Sequence, residues 1–369
     1  MIYFLVPAAQ EFTIKDYLEL FGRSLRQDIR ILHYEDLVHQ REFSRGTYVW
    51  AALDQLHPGM SQLVFEIYVQ LKQIEGFRFL NDPRNTLQRF ELLNKLNDAG
   101  RNDFCAFKAN DDLTSVRFPV FLREERLHNG AISPLLNSDR EILEALGRAL
   151  VQGYKLKDLL IVEFCNTADE TGFFRKYAAF IVGKRVIPRS LNYGRRWMLK
   201  HSETEFTMTM IEEELEYVST NPHQQQLVEI FELAQVEYGR IDYAIKDNRV
   251  QTWEINLLPT IGRGLRRRSR PLPPELDAAR DAVKRHFYEG FERAWREVDL
   301  PTDSKPPIRL SLSPQIIRAA LPPDVSRSRL LTTFKAVLRP AKPLIVPISR
   351  PFLFTLGSLA RVVRQKRSK

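Results

Sequence analysis

The chain has 369 residues, 44% of them hydrophobic, with 55 Lys and Arg against 46 Asp and Glu for a net charge of +9, enough to bury one large core and predict two or three lobes. Its two cysteines, Cys105 and Cys165, lie far apart with no metal-ligand spacing, and none of the seven His falls in one either, which predicts reduced, partly buried thiols and a reducing compartment. Ile2 to Val6 is too short and lacks the basic flank of a signal peptide, and no uncharged stretch reaches transmembrane length, so a cytoplasmic protein is expected.

In chain order, the first eighty residues predict a small α/β unit. Strands are expected at Ile2 to Val6, Ile29 to His33 and Phe77 to Leu80, and a strand or strand-helix junction at Thr47 to Leu53, with helices from Thr13 to Leu25 and from Ser61 to Gln73, the second capped by Ser61. Alternation of this kind argues for an open parallel sheet. No G-x-G-x-x-G follows the first strand, which argues against a dinucleotide site there. Asn81-Asp82-Pro83 predicts the next helix, with Asp82 as cap and Pro83 at its first position, running through Leu92, Leu93 and Leu96 to a stop at Gly100. Phe104 to Lys108 and Pro119 to Arg123 are short apolar runs, each ending in a cation. A loop, EERLHNGAIS from Glu124 to Ser133, holds one glycine, Gly130. Asp139 to Val151 is an amphipathic helix capped by Ser138, with Ile142, Leu143, Leu146 and Leu150 in one stripe. LLIVEF, Leu159 to Phe164, is the most hydrophobic strand. Phe174 to Val182 and Val186 to Pro188 predict a hairpin turning at Gly183-Lys184, flanked by Arg175, Lys176 and Arg189 and followed by Tyr193-Gly194-Arg195-Arg196-Trp197 and Lys200. Helical stretches follow at Glu212 to Tyr217 and Gln224 to Glu237.

Tyr238 to Thr260, YGRIDYAIKDNRVQTWEINLLPT, organises the rest. Two alternating runs surround a polar turn, Lys246 to Arg249, and predict a β-hairpin. Arg240 and Asp242 face one side of the first strand, and Glu254 and Asn256 form the polar face of the second. A two-residue loop would set the polar pairs on opposite faces. A three-residue loop at Asp247 to Arg249 pairs Asp242 with Glu254 and Arg240 with Asn256, and that register is the expectation. Two carboxylates, an amide oxygen and a guanidinium then share one patch, a donor set suited to Mg²⁺; a solvated outer face of the hairpin is the bland alternative.

After Thr260 the charge changes sign. Residues 263 to 369 carry 24 Lys and Arg against 9 Asp and Glu, a net of +15, and the rest of the chain carries −6. LRRRSR, Leu265 to Arg270, leads into a helix, Pro274 to Val298, expected to pack through Ala282, Phe287, Phe291, Ala294 and Trp295. From Ser304 the tail is broken by prolines and has 14 basic residues and one acidic one, Asp324. A disordered tether fits this segment, and so does contact through residues 304 to 369, chiefly Pro340 to Val363, with an anionic membrane surface or an acidic partner. A nucleic-acid partner ranks last.

Arg-x-Asp, then Glu-x-Asn, then Pro259-Thr260 resembles the closing hairpin of the ATP-grasp superfamily, which includes D-alanine-D-alanine ligase, glutathione synthetase, biotin carboxylase and ribosomal-protein glutamate ligases. The resemblance covers roughly Asn81 to Thr260 and is strongest in that hairpin. It implies an α/β fold with an N-terminal open-sheet domain at residues 1–80 and an ATP-grasp domain at 81–262; the residues after these read as a packed helix at 263–300 and a basic extension at 301–369. It implies Mg²⁺, or Mn²⁺, on Asp242, Glu254 and Asn256, with Arg240 at the acyl-phosphate oxyanion. The residues themselves offer Lys176 and Arg189 as further catalytic cations, in a cluster opposite that patch which could neutralise a carboxylate substrate and the transferred phosphoryl group, or could equally be a solvated loop. Lys108 and Arg123 would meet the ATP phosphates. Glu163, Phe164 and Cys165 would form the adenine hinge through backbone groups, and Asp169 or Glu170 would hold the ribose. Arg123 stands where the family usually has Lys, and the loop over the phosphates is poor in glycine. The implied activity joins a small-molecule or peptide carboxylate to an amine or another nucleophile through an acyl phosphate. An ATP-grasp kinase and a nucleotide-binding regulator with weak catalysis are the alternatives.

Overall fold

The computed structural model describes residues 1–321 except 86, 127–129, 200–205, 263–272 and 302–304. The expectations for LRRRSR, Lys200 and most of the basic tail, along with part of the loop at 124–133, lie outside the described residues. Residues 1–320 form one compact unit. The fold class is α/β. No helix among the described residues is long and apolar enough to cross a membrane.

The N-terminal part is built on a parallel sheet ordered β2-β1-β4-β5, with β1 Ile2–Val6, β2 Ile29–His33, β4 Gly46–Trp50 and β5 Phe77–Leu80. Every residue of β1 is buried, as a strand covered on both faces requires. Helices α1 (Phe12–Leu20) and α2 (Pro58–Leu71) accompany it. The second helix starts earlier than expected: Pro58 takes the first turn, where its missing N–H costs nothing, and the His57 side chain accepts from the Met60 N–H. A short β3 (Glu42–Phe43) pairs with β13 (Ile308–Arg309), and α8 (Pro314–Ala320) packs on α2. That contact is possible because residue 59 is glycine: a Cβ there would stand 1.9 Å from the Ala319 carbonyl oxygen. Gly59→Ala is expected to undock α8 at a cost of about 1–3 kcal/mol, read as a lower urea midpoint and faster proteolysis after residue 312.

A three-stranded antiparallel sheet, β6-β8-β7, follows, from Ala106–Lys108, Leu159–Glu163 and Val120–Glu124. Helix α4 (Asp139–Val151) covers one face through Ile142, Ala145 and Leu146, with Ser138 capping it as expected. Helix α3 presses Leu93 onto the other face, against Phe104 and Phe121. It runs Arg89–Asp98, not from Pro83. Gln88 and Glu91 form a capping box there, satisfying N–H groups that Asp82 cannot reach, since Asp82 instead accepts from Tyr68 and Arg84.

The third sheet, β10-β9-β11-β12, is antiparallel and is formed by Phe174–Val182 (β9), Arg185–Gly194 (β10), Tyr238–Lys246 (β11) and Arg249–Asn256 (β12). Its core is continuous with that of the parallel sheet; the Phe4 and Tyr238 rings meet edge to face at 5.2 Å. Helices α5 (Met208–Thr220) and α6 (Gln224–Ala234) connect β10 to β11. Helix α7 (Pro274–Val298) buries Phe287, Phe291, Ala294 and Trp295, with Val283 rather than Ala282 completing the stripe. Gly290 lets α7 approach β10, since a Cβ there would lie 3.2 Å from Ile187.

Two irregularities set which side chains this sheet presents. The turn of the β11–β12 hairpin is Asp247-Asn248, both at positive φ (49° and 60°), between the paired Lys246 and Arg249. It is thus a two-residue turn, shorter than expected. A bulge restores the face: Asp242 pairs with Glu254 while Tyr243 pairs with Thr252, leaving Trp253 as the extra residue. On the edge strand β10, Pro188 pairs with Ala179 and Ser190 with Ala178, so Arg189 is the extra residue of a second bulge.

Candidate active site

Cross-strand pairing lines up Ser190, Ala178, Asp242 and Glu254 across the four strands, with Arg240 beside Asn256 two residues further along β11 and β12. Ala178 is the small member of the row and leaves room beside Asp242. Each carboxylate is held by two cations. Asp242 accepts from Lys176 Nζ at 2.7 Å and Arg240 Nε at 2.9 Å. Glu254 accepts from Arg89 Nη2 at 2.5 Å and Arg123 Nη2 at 3.1 Å. Burial would push the Asp242 carboxyl up, yet the charges of Arg240 and Lys176 hold it below the ordinary carboxylate range. For Arg123 the same downward direction favours the neutral form. Burial, then the neighbouring Arg89 charge, lower its pKa to about 10 despite Glu254.

Lys176, Asp242, Arg123 and Glu254 line a cavity of about 440 Å³ whose other walls include Phe121, Phe164, Cys165, Trp197 and Trp253. The Trp197 ring packs on Phe121 at 4.9 Å and on Phe164 at 5.7 Å. Apolar rings and buried charges therefore share one cleft. A second pocket of about 220 Å³ adjoins it, sharing Lys176, Asp242 and Leu199, and includes Arg189 and Arg240.

Asp242, Glu254 and Asn256 offer hard oxygens on one face, short of a cluster of three or more acidic, His or Cys ligands, of which there is none among the described residues. Mg²⁺ needs no more, because it takes one or two carboxylates and completes its shell with water and phosphate oxygens. Asn256 Oδ1 accepts from the Leu258 N–H at 2.8 Å, leaving that oxygen a second lone pair. The four cations on two carboxylates leave the cluster positive among the described residues, and Arg123 Nε is buried with no hydrogen-bond partner. The residues fit a metal that arrives with an anion. They fit bare metal poorly.

Not every expected residue reaches the clefts. Lys108 lies with its ammonium over the Phe90 ring at 4.9 Å and is not among the lining residues. Glu163 is turned inward, accepting from Arg117 Nη2 at 2.6 Å and from the Arg117 and Cys105 N–H groups. Phe164 and Cys165 line the cavity, and the Phe164 N–H donates to the Pro119 carbonyl at 2.9 Å. Asp169 organises its own turn, accepting from the Thr171 and Phe173 N–H groups and from Arg175. Burial first of all pushes both thiols up, to about 11, so Cys105 and Cys165 are neutral near pH 7 and free of any disulfide.

Sequence reasoning missed Arg89, named Arg175 only as a flanking cation, and gave the rings of Phe121, Trp197 and Trp253 no place in the site. The signal for Arg89 was Gln88-x-x-Glu91, which starts a helix at residue 89 and fixes its first side chain. Arg175 alternates with Lys176 along β9, yet both line the cavity, Arg175 held by Asp169 and by Glu213 at 2.8 Å.

No protein-family model matches the chain, and no curated protein matches it. Among solved structures it is similar to D-alanine–D-alanine ligase from Bacillus anthracis, at 13% identity over 80% of this chain and 98% of that one, with a TM-score of 0.43. The D-alanine-D-alanine ligase of Coxiella burnetii gives 12% identity, 80% and 94% coverage and a TM-score of 0.45. The ATP-grasp ligase PsnB, complexed with a phosphomimetic precursor variant, Mg and ADP, gives 13%, 77% and 97% coverage and 0.46. The chain is thus similar, at low identity, to solved ligases, one of them an ATP-grasp ligase by description.

Proposed function

We propose that this chain is an ATP-grasp ligase, using ATP with Mg²⁺ or Mn²⁺ to activate a carboxylate as an acyl phosphate for attack by an amine or another nucleophile. One observation carries the reading: a single cleft combines aromatic walls suited to a base with two opposed carboxylates embedded in four cations. Magnesium held by Asp242, Glu254 and Asn256 would supply positive charge to the β and γ oxygens of the nucleotide. Arg123 and Arg89 draw the triphosphate into the buried end of the charge cluster and keep Glu254 oriented. Trp197, Phe121 and Phe164 exclude water from the base. Lys176 lies between the two pockets and can follow the transferred phosphoryl group, while Arg240 meets the acyl oxyanion. The carboxylate oxygen attacks the γ-phosphorus and the bond to ADP breaks. The nucleophile then attacks the acyl carbon, phosphate leaves, and the nucleophile's proton passes to solvent. No Ser, Cys or His is needed, in keeping with two neutral thiols.

The excess positive charge makes a specific demand on binding. Mg²⁺ alone is expected to leave the melting temperature nearly unchanged, whereas Mg·ATP at a hundredfold its Kd adds about 2.7 kcal/mol of stability. Thermal-shift titrations with Mg²⁺, ATP, Mg·ATP and Mg·GTP read this directly. No shift with millimolar Mg·ATP would sink the nucleotide assignment. ADP release that requires both a carboxylate and an amine, with an acyl adduct by mass spectrometry, separates a ligase from a kinase.

A further inference from the structure

The smaller pocket, on the far side of Lys176 and Asp242, has a composition that the ligase reading does not require. Its lining includes five cations, Lys176, Arg189, Arg240, Arg280 and Lys284, against Asp242 and Glu214. Lys176 and Arg240 share the single carboxylate of Asp242, so this pair keeps one uncompensated positive charge and further N–H donors. Glu214 is buried and accepts from the Leu191 N–H at 3.2 Å. The remaining three cations come from two elements positioned for the purpose. Arg189 is the bulged residue of β10, with its guanidinium 4.4 Å from the Phe287 ring centre and 5.6 Å from that of Tyr288. Arg280 and Lys284 lie four residues apart on α7, on one face with Val283, which also lines the pocket.

Among the described residues, none of these three forms an ion pair with a buried acid. The Arg280 guanidinium lies 4.2 Å from the Phe206 ring centre, and among the described residues neither Arg189 nor Arg280 has an acidic partner. Lys284 has Asp281 at 2.6 Å, but that carboxylate is 59% exposed, and such a pair contributes little. An aromatic face fixes a guanidinium plane without cancelling its charge and leaves the N–H edge for a carboxylate. The volume, about 220 Å³, is below that of sites for drug-sized ligands and suits a compact metabolite.

We propose that this pocket takes a small di- or tricarboxylic acid, with one carboxylate at Lys176 and Arg240 for activation and a second acid group read by Arg280 and Lys284, with Arg189 beside them. The proposal rests on the ligase reading of the adjoining cleft and names the substrate class that reading leaves open. Arg280 and Lys284 are then specificity residues, away from the reacting atoms.

The test is competition between acids of matched skeleton on the full chain with Mg·AMPPNP bound. Succinate, glutarate and citrate are expected to bind at least tenfold tighter than butyrate and valerate by calorimetry. Arg280→Gln/Lys284→Gln is expected to erase that preference while leaving the Kd of Mg·AMPPNP unchanged, and Arg280→Lys/Lys284→Arg is expected to keep it. Equal binding of mono- and diacids, no binding of any acid, or a preference that survives the double Gln variant overturns the proposal. Tight binding of 3-phosphoglycerate with no binding of succinate, glutarate or citrate overturns the carboxylate class in favour of a phosphorylated acid. Absence of Mg·AMPPNP binding in the unaltered chain is a different result, and it removes the ligase reading itself.

Discussion

Glu254→Gln is expected to lose Mg-dependent turnover and also about 3–5 kcal/mol of stability. The alternating pattern of β12 alone suggests a solvent-facing carboxylate whose loss leaves the fold intact. In the structure the Glu254 side chain is 14% exposed, and its Arg89 and Arg123 partners are 5% and 9% exposed. Removing the carboxylate leaves two buried guanidiniums facing each other. Arg89 retains the backbone carbonyls of Glu124 and Glu125, the first at 3.0 Å, so most of the penalty falls on Arg123. Arg123→Met/Glu254→Gln should therefore regain much of the stability, because both members of the pair are gone, and regain none of the turnover. Urea unfolding and ADP release measured on both variants check the two halves separately. A single variant as stable as the unaltered protein would falsify the buried ion-pair account, and normal turnover would remove the metal role.

Asp242→Asn should be nearly as damaging, with a pH signature of its own. The carboxyl of Asp242 lies below the ordinary range when folded, so the unfolded chain binds its proton first. Its contribution to stability is then complete above the unfolded pKa of about 4 and is lost as pH falls through the lower folded value. Asp242→Asn lacks this dependence and leaves Lys176 and Arg240 without their shared anion, costing about 3 kcal/mol near neutrality. Denaturation midpoints from pH 7 to pH 3 should show the two proteins converging on the acid side. Parallel curves over that range would mean that Asp242 titrates alike in the folded and unfolded chains.

The polar face of each strand was legible because alternation is strong in both: Arg240 with Asp242 on one and Glu254 with Asn256 on the other follow from polarity, while their pairing across the hairpin needed a loop length. The route to them was hidden. Two left-handed residues, Asp247 and Asn248, make a tight turn that by itself inverts the face, and one extra residue at Trp253 inverts it back. A bulge carries no compositional mark, so the right pairing was inferred from the wrong loop. Pro188 produced a similar error, since a proline that reads as a strand end is tolerated on an edge strand beside a bulge, and β10 continues to Gly194. Pro83 drew the start of α3 six residues too early and so concealed Arg89. The cations of α7 carried no signal of their own, because only the fold brings Arg280 and Lys284 to the same pocket as Lys176.

The hairpin's parity is stored in two places, the length of its turn and the supernumerary Trp253. Neither can change alone without exchanging the wet and dry sides of everything beyond it. A variant with one residue inserted at 247–248 is therefore expected to keep the Asp242–Glu254 pairing only if the extra residue at 253 is removed as well.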